Sequence, residues 1–173
     1  MRQTDFRTAY AHLGMHPGDM GPQEAQIIFE QAMAAGGGVF VEMAAGPGRT
    51  TAILGTAARN VGAKFYVIEA QVVKSPGDGR WFSLAVLLHQ LSLTHVEPSA
   101  VKEVLNGGGV DLILVNGEQD ISKLPLKDGC VIILRKSNET SVPAECVVDH
   151  RPTISVWRKS ATPAVERTLS VVK

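Results

Sequence analysis

The sequence has no surplus of charge, almost no cysteine and no long apolar run. Its 17 basic and 17 acidic residues cancel, so no net field draws the chain to nucleic acid or to a membrane surface. No apolar stretch approaches the roughly 20 residues that a membrane-spanning helix needs. The first ten residues, MRQTDFRTAY, lack the apolar centre of a secretory signal, and a cytoplasmic location is expected. The two cysteines, Cys130 and Cys146, each lie in a β-like apolar stretch. They make neither a disulfide framework nor a zinc site and read as buried thiols. His12, His16, His89, His95 and His150 lack metal-ligand spacing and read as structural. Repeats, low-complexity segments and domain-sized linkers are missing too.

What is present is an ordinary globular composition, 45% apolar and 20% charged over 173 residues, enough for one domain with a real core. Residues 1–35 read as a helical segment and 36–160 as a sheet core. A first helix covers roughly 3–13, and GMHPGDMGP is a turn-rich segment. Pro22 opens a second helix with Ala25, Ile28, Phe29 and Ala32 on one face. Residues 39–43 form a short apolar run bounded by glycines, as a buried parallel strand does. Ile53, Leu54, Ala57, Ala58 and Val61 mark an amphipathic helix ending near Gly62. KFYVIE (64–69) reads as a strand, and Trp81, Leu84, Ala85, Leu88 and Leu91 as a helix stripe. LTHV (93–96) is a weaker strand, followed by a short helix carrying Val101, Val104 and Leu105. VDLILVN (110–116) and CVIILRK (130–136) are buried strands. ECVVDHRPTISVWR (145–158) reads as a hairpin with a Pro-containing turn. RTLSVV (167–172) is either a loose end or a strand able to pair with a sheet edge of another copy, giving a homo-oligomer. The alternation argues for a parallel sheet with helices on both faces, whose ligands sit beyond the carboxyl ends of the strands.

At one such end lies GVFVEMAAGPGRTTAIL (38–54). A phosphate-binding loop of the form G-x-x-x-x-G-K-[ST] is excluded, because Met43 stands at its first glycine and Arg49 at its lysine. A dinucleotide fingerprint, G-x-G-x-x-G, is half met: Gly46 and Gly48 fit, Thr51 holds the third glycine position, and Glu69 lies at the right distance for a ribose. A nucleotide- or NAD-binding protein therefore stays open as a reading.

VEMAAGPGRTT also resembles motif I of the class I S-adenosylmethionine-dependent methyltransferases, acid-x-Gly-x-Gly-x-Gly, with Glu42, Gly46 and Gly48 at three positions. Ala44 replaces the first glycine, which fits if the backbone there keeps negative φ. The resemblance implies a Rossmann-like three-layer α/β sandwich with a mostly parallel seven-stranded sheet and a C-terminal antiparallel hairpin. It implies S-adenosylmethionine as cofactor. Glu42 would serve its amine directly or through water. Ala44, Gly46, Pro47 and Gly48 would form the close-fitting turn, and Thr50 would lie in the first turn of the following helix. Glu69 would hold the ribose, and Glu97 the adenine amine. VDLILVNGEQD is similar to the fourth-strand motif of small O-methyltransferases, which places Asn116 at the cofactor. LKDGCVIIL, the hairpin and DMGPQEAQIIFEQAM match further stretches, so the resemblance spans roughly 20–160.

In metal-dependent relatives carboxylates near the fourth strand hold a cation. Here the segment reads Asn116-Gly117-Glu118-Gln119, an amide where a hard cation wants charge, so no metal is expected. Glu118 or Asp120 is placed to act as a base. The resemblance implies methyl transfer to oxygen of a small molecule or sugar, without nucleic-acid or membrane partners. The alternative is a catalytically degenerate S-adenosylmethionine-binding subunit or sensor of the same fold.

Overall fold

The structure, a computed structural model, describes residues 3–15, 18–68, 82–87, 89–105, 108–135, 146–151 and 153–160, with backbone alone for 15 and 146–151. Glu69, Trp81, Leu88 and the 167–172 segment lie outside the described residues.

Helix α1 (Phe6–Ala11) is shorter than the pattern suggests. The Asp5 carboxylate accepts from Thr8 N at its start, and the chain tightens into a 3₁₀ turn over His12–Met15. Helix α2 (Pro22–Ala35) opens on the expected proline. Strand β1 (Val39–Met43) leads to α3 (Arg49–Val61), which closes on the left-handed Gly62. Strand β2 (Lys64–Ile68), helix α4 (82–87), β3 (Thr94–Val96) and α5 (Val101–Val104) follow. Then come β4 (Val110–Asn116), β5 (Leu126–Arg135), β6 (Cys146–Arg151) and β7 (Ile154–Arg158).

The sheet order is β3-β2-β1-β4-β5-β7-β6. β3, β2, β1, β4 and β5 run parallel, and the β6–β7 hairpin enters antiparallel through β7 against β5. β5 begins four residues before the expected Cys130, across a register shift opposite Val110–Leu112.

Alternate residues of the strands feed two cores. Phe40, Leu112, Leu114 and Ile133 pack with α1, α2, α3 and α4, whereas Val41, Ile113, Ile132 and Leu134 pack with Val101 and Leu105. The result is helices on both faces of one sheet. α3 differs from its amphipathic pattern: every residue from Thr50 to Ala58 is buried. It is pressed between sheet and helices, and Gly55 permits this because a Cβ there would meet Leu91 and Phe65 at 2.9–3.0 Å. Val104, expected on the apolar stripe, is instead 42% exposed, because α5 is a single turn anchored by its neighbours Val101 and Leu105. Among the described residues no helix is long and apolar enough to cross a membrane.

Candidate functional site

From β1 the chain steps one way to β2 and later the other way to β4. The crevice beyond the tips of β1 and β4 is thus the topological switch point of the sheet, where open α/β folds bind ligands.

The turn after β1 is built by left-handed backbone. Gly46 and Gly48 have φ of 58° and 89°, and Gly48 is the N-cap of α3. Gly48 must be glycine for a second reason: a Cβ would stand 3.0 Å from Phe82 Cα and 3.0 Å from Ala85 Cβ. Gly46 differs, since a Cβ there meets nothing within 4 Å. Ala44 departs from expectation: its φ is +58°, not negative. The residue standing in for the motif's first glycine is forced left-handed by the turn, at a cost of roughly 1–2 kcal/mol.

Glu42 points to the α3 side of the sheet and is 0% exposed. Its Oε1 accepts from Thr50 Oγ1 and, at 3.3 Å, from Asn116 Nδ2. The same Nδ2 lies 3.3 Å from Thr50 Oγ1 and 3.4 Å from Met43 O. These bonds fix the Asn116 amide across the strand tips and leave its Oδ1 buried without a hydrogen-bond partner among the described residues. A buried acceptor left bare costs about 1–3 kcal/mol unless a donor arrives.

Beside this cluster opens a hollow of about 120 Å³. Ala44, Ala45, Gly46, Pro47, Thr50 and Asn116 form its inner wall, and Gly18, Asp19, Met20, Arg49 and Arg135 complete it. Arg135, at the β5 tip in register with Asn116, is 7% exposed. Its Nη2 donates to Asp19 Oδ1 at 2.6 Å and its Nε to Glu24 Oε2 at 3.1 Å.

The structure therefore brings Glu42, Ala44, Gly46, Pro47, Gly48, Thr50 and Asn116 together. Glu97 is exposed just after β3 and does not line the hollow, and Glu69 lies outside the described residues. Neither Glu118 nor Asp120 lines the hollow. The Asp120 carboxylate is held low in pKa by the Ser122 hydroxyl and backbone N–H, at 2.6 and 2.9 Å, as a local turn. Among the described residues no group of three or more His, Cys, Asp or Glu is placed to hold a metal. Sequence reasoning missed Asp19, Arg49 and Arg135. The turn-rich GMHPGDMGP and the arginine ending CVIILR were visible, but nothing local says that they meet.

No protein-family model matches the sequence, and no curated protein matches it. Solved structures do. A hypothetical protein from Thermus thermophilus is similar at TM-score 0.57 and 14% identity, covering 86% of this chain and 90% of its own. An O-methyltransferase from Bacillus cereus in complex with S-adenosylhomocysteine (SAH) gives 0.52 and 18%, covering 73% of this chain and 61% of its own. An SAH-bound methyltransferase from Podospora anserina gives 0.51 and 14%, covering 67% and 53%. The chain thus spans between half and two thirds of the length of these two methyltransferases. The fold is that of the class I S-adenosylmethionine-dependent methyltransferases.

Proposed function

We propose that the chain binds S-adenosylmethionine beyond the tips of β1 and β4 and transfers its methyl group to oxygen of a small molecule. One observation carries this reading: the bare, buried Asn116 Oδ1, fixed by Glu42 and Thr50 at the wall of a hollow on the switch point. A carbonyl oxygen backed by a carboxylate suits an ammonium donor, and the small-residue turn lets backbone approach the same ligand closely. The N-terminal N–H groups of α3 suit its carboxylate. Glu42 acts through Asn116 and Thr50, since its own carboxylate is fully covered. Glu69 is assigned to the ribose hydroxyls, and Glu97 to the adenine side.

The cofactor, when bound, supplies an electrophilic sulfonium methyl for direct displacement. The chain's task is to hold acceptor and methyl in line at short range, the main source of rate for such a transfer. A base is not needed to bind, and Asp19, the carboxylate that lines the hollow, is not assigned to that role. A second reading, a cofactor-binding protein that no longer transfers methyl, draws on the amide at Asn116 and on Asp120 being tied to Ser122.

Titration calorimetry with S-adenosylmethionine, SAH and NAD tests the reading. Binding of both sulfur ligands without NAD is the expected result. NAD binding with no response to SAH would overturn it. A methyl-labelled product that appears with wild type and vanishes with Gly46→Val separates enzyme from binder.

A further inference from the structure

Arg135 is not explained by cofactor binding. A guanidinium 7% exposed at a strand tip needs partners, and the two it has are unequal. Glu24, in the first turn of α2, has a side chain only 12% exposed, whereas that of Asp19 is 60% exposed. Solvent screens the Asp19 end of the ion pair and weakens it. Nη1 makes no hydrogen bond among the described residues. Of the two carboxylates that Arg135 meets, only Asp19 lines the hollow. Arg135 also lies two strands from β1, about 10 Å at the usual strand spacing, so it is removed from the Glu42 side of the hollow.

We infer that Arg135 receives a carboxylate of the methyl acceptor and that Asp19 is the internal stand-in which this carboxylate displaces. The inference deepens the proposed function and rests on it for the word acceptor. The planar fork of arginine pairs a carboxylate through two parallel charge-assisted bonds, which a single exposed Asp19 contact does not match. Glu24 keeps Nε occupied and fixes the plane of the fork.

The probe is acetate, with acetamide as the neutral isostere and inorganic phosphate as the second oxyanion. Each is titrated by NMR into the intact chain, free and saturated with SAH. Acetate should bind in both states, acetamide in neither, and phosphate more weakly than acetate. Arg135→Met should weaken acetate by about tenfold or more, the loss of a charge-assisted pair. Asp19→Asn should tighten it by about threefold, because the internal competitor is gone.

A merely structural ion pair predicts that neither variant changes acetate binding, and that outcome overturns the inference. So does acetate displaced by SAH, which would assign Arg135 to the cofactor's own carboxylate. Equal binding of acetate and acetamide overturns it too, and stronger phosphate than acetate would replace carboxylate by phosphate. Failure of SAH to bind in calorimetry sinks the cofactor reading by itself, and the acetate series still decides whether Arg135 is an oxyanion site.

Discussion

Asn116 donates from Nδ2 to Glu42 Oε1 at 3.3 Å, joining the tips of β4 and β1 across 74 positions of sequence. The amide lets an acid and its neighbour share one small space without repulsion. Asn116→Asp would set two carboxylates in contact and lower stability at neutral pH by about 1–3 kcal/mol. One of the two would then bind its proton more tightly in the folded state than in the unfolded one. The sign follows: the added stability is present at low pH and is lost as pH rises. Urea unfolding at pH 5 and pH 7.5 should give a wider gap from wild type at the higher pH.

Ala44 holds a left-handed φ of +58°. Replacing it by glycine removes roughly 1–2 kcal/mol of strain and adds about 0.5–1 kcal/mol of chain entropy to the unfolded state. Ala44→Gly should therefore raise stability by up to about 1.5 kcal/mol in denaturant titration, and Ala44→Val should lower it, since a branched side chain resists positive φ.

Gly46 and Gly48 share a turn but not a sensitivity. Gly48→Ala drives a Cβ against Phe82 and Ala85 at 3.0 Å and should cost about 2–3 kcal/mol by overpacking and strain. Gly46→Ala carries the backbone term alone, about 1 kcal/mol. Thermal unfolding of the two variants side by side checks the order; equal losses would mean that α4 yields.

Burial pushes the Cys130 thiol up to about 12 from 9.0, with Asp111 adding to the rise. A raised folded pKa means that stability is whole below pH 9.0 and falls between 9.0 and about 12. The slope approaches about 1.4 kcal/mol per pH unit. Lysines and tyrosines titrate there too, so the measurement is a difference: Cys130→Ala should show a shallower alkaline loss than wild type. The native thiol should also resist a disulfide reagent at pH 8.

The strands were legible because each is short, apolar and bounded by glycine or turn residues, and β1, β4 and the β6–β7 hairpin fall where the pattern puts them. Pro22 and Gly62 marked helix ends through their own backbone chemistry. The pattern erred where tertiary packing decides. α3 shows an amphipathic stripe yet is buried all round, and Val104 sits on the stripe of a helix too short to use it. Of the candidate site, the meeting of the β1 turn, Thr50 and Asn116 was legible, because these residues fall at strand ends that the topology brings together. The sequence could not show that the turn forces Ala44 left-handed. Nor could it see Arg135 meeting Asp19, a contact across 116 positions with no local signature.

β1 takes one partner from the strand that follows it and the other from β4, delivered only after α4, β3 and α5 have passed. The crevice is thus a high-contact-order feature, built where the second half of the chain docks on the first. A ligand seated there ties those halves together. Its free energy should appear as slowed amide hydrogen exchange along β4, well beyond the atoms it touches, while the hairpin edge at β6 keeps its own pace.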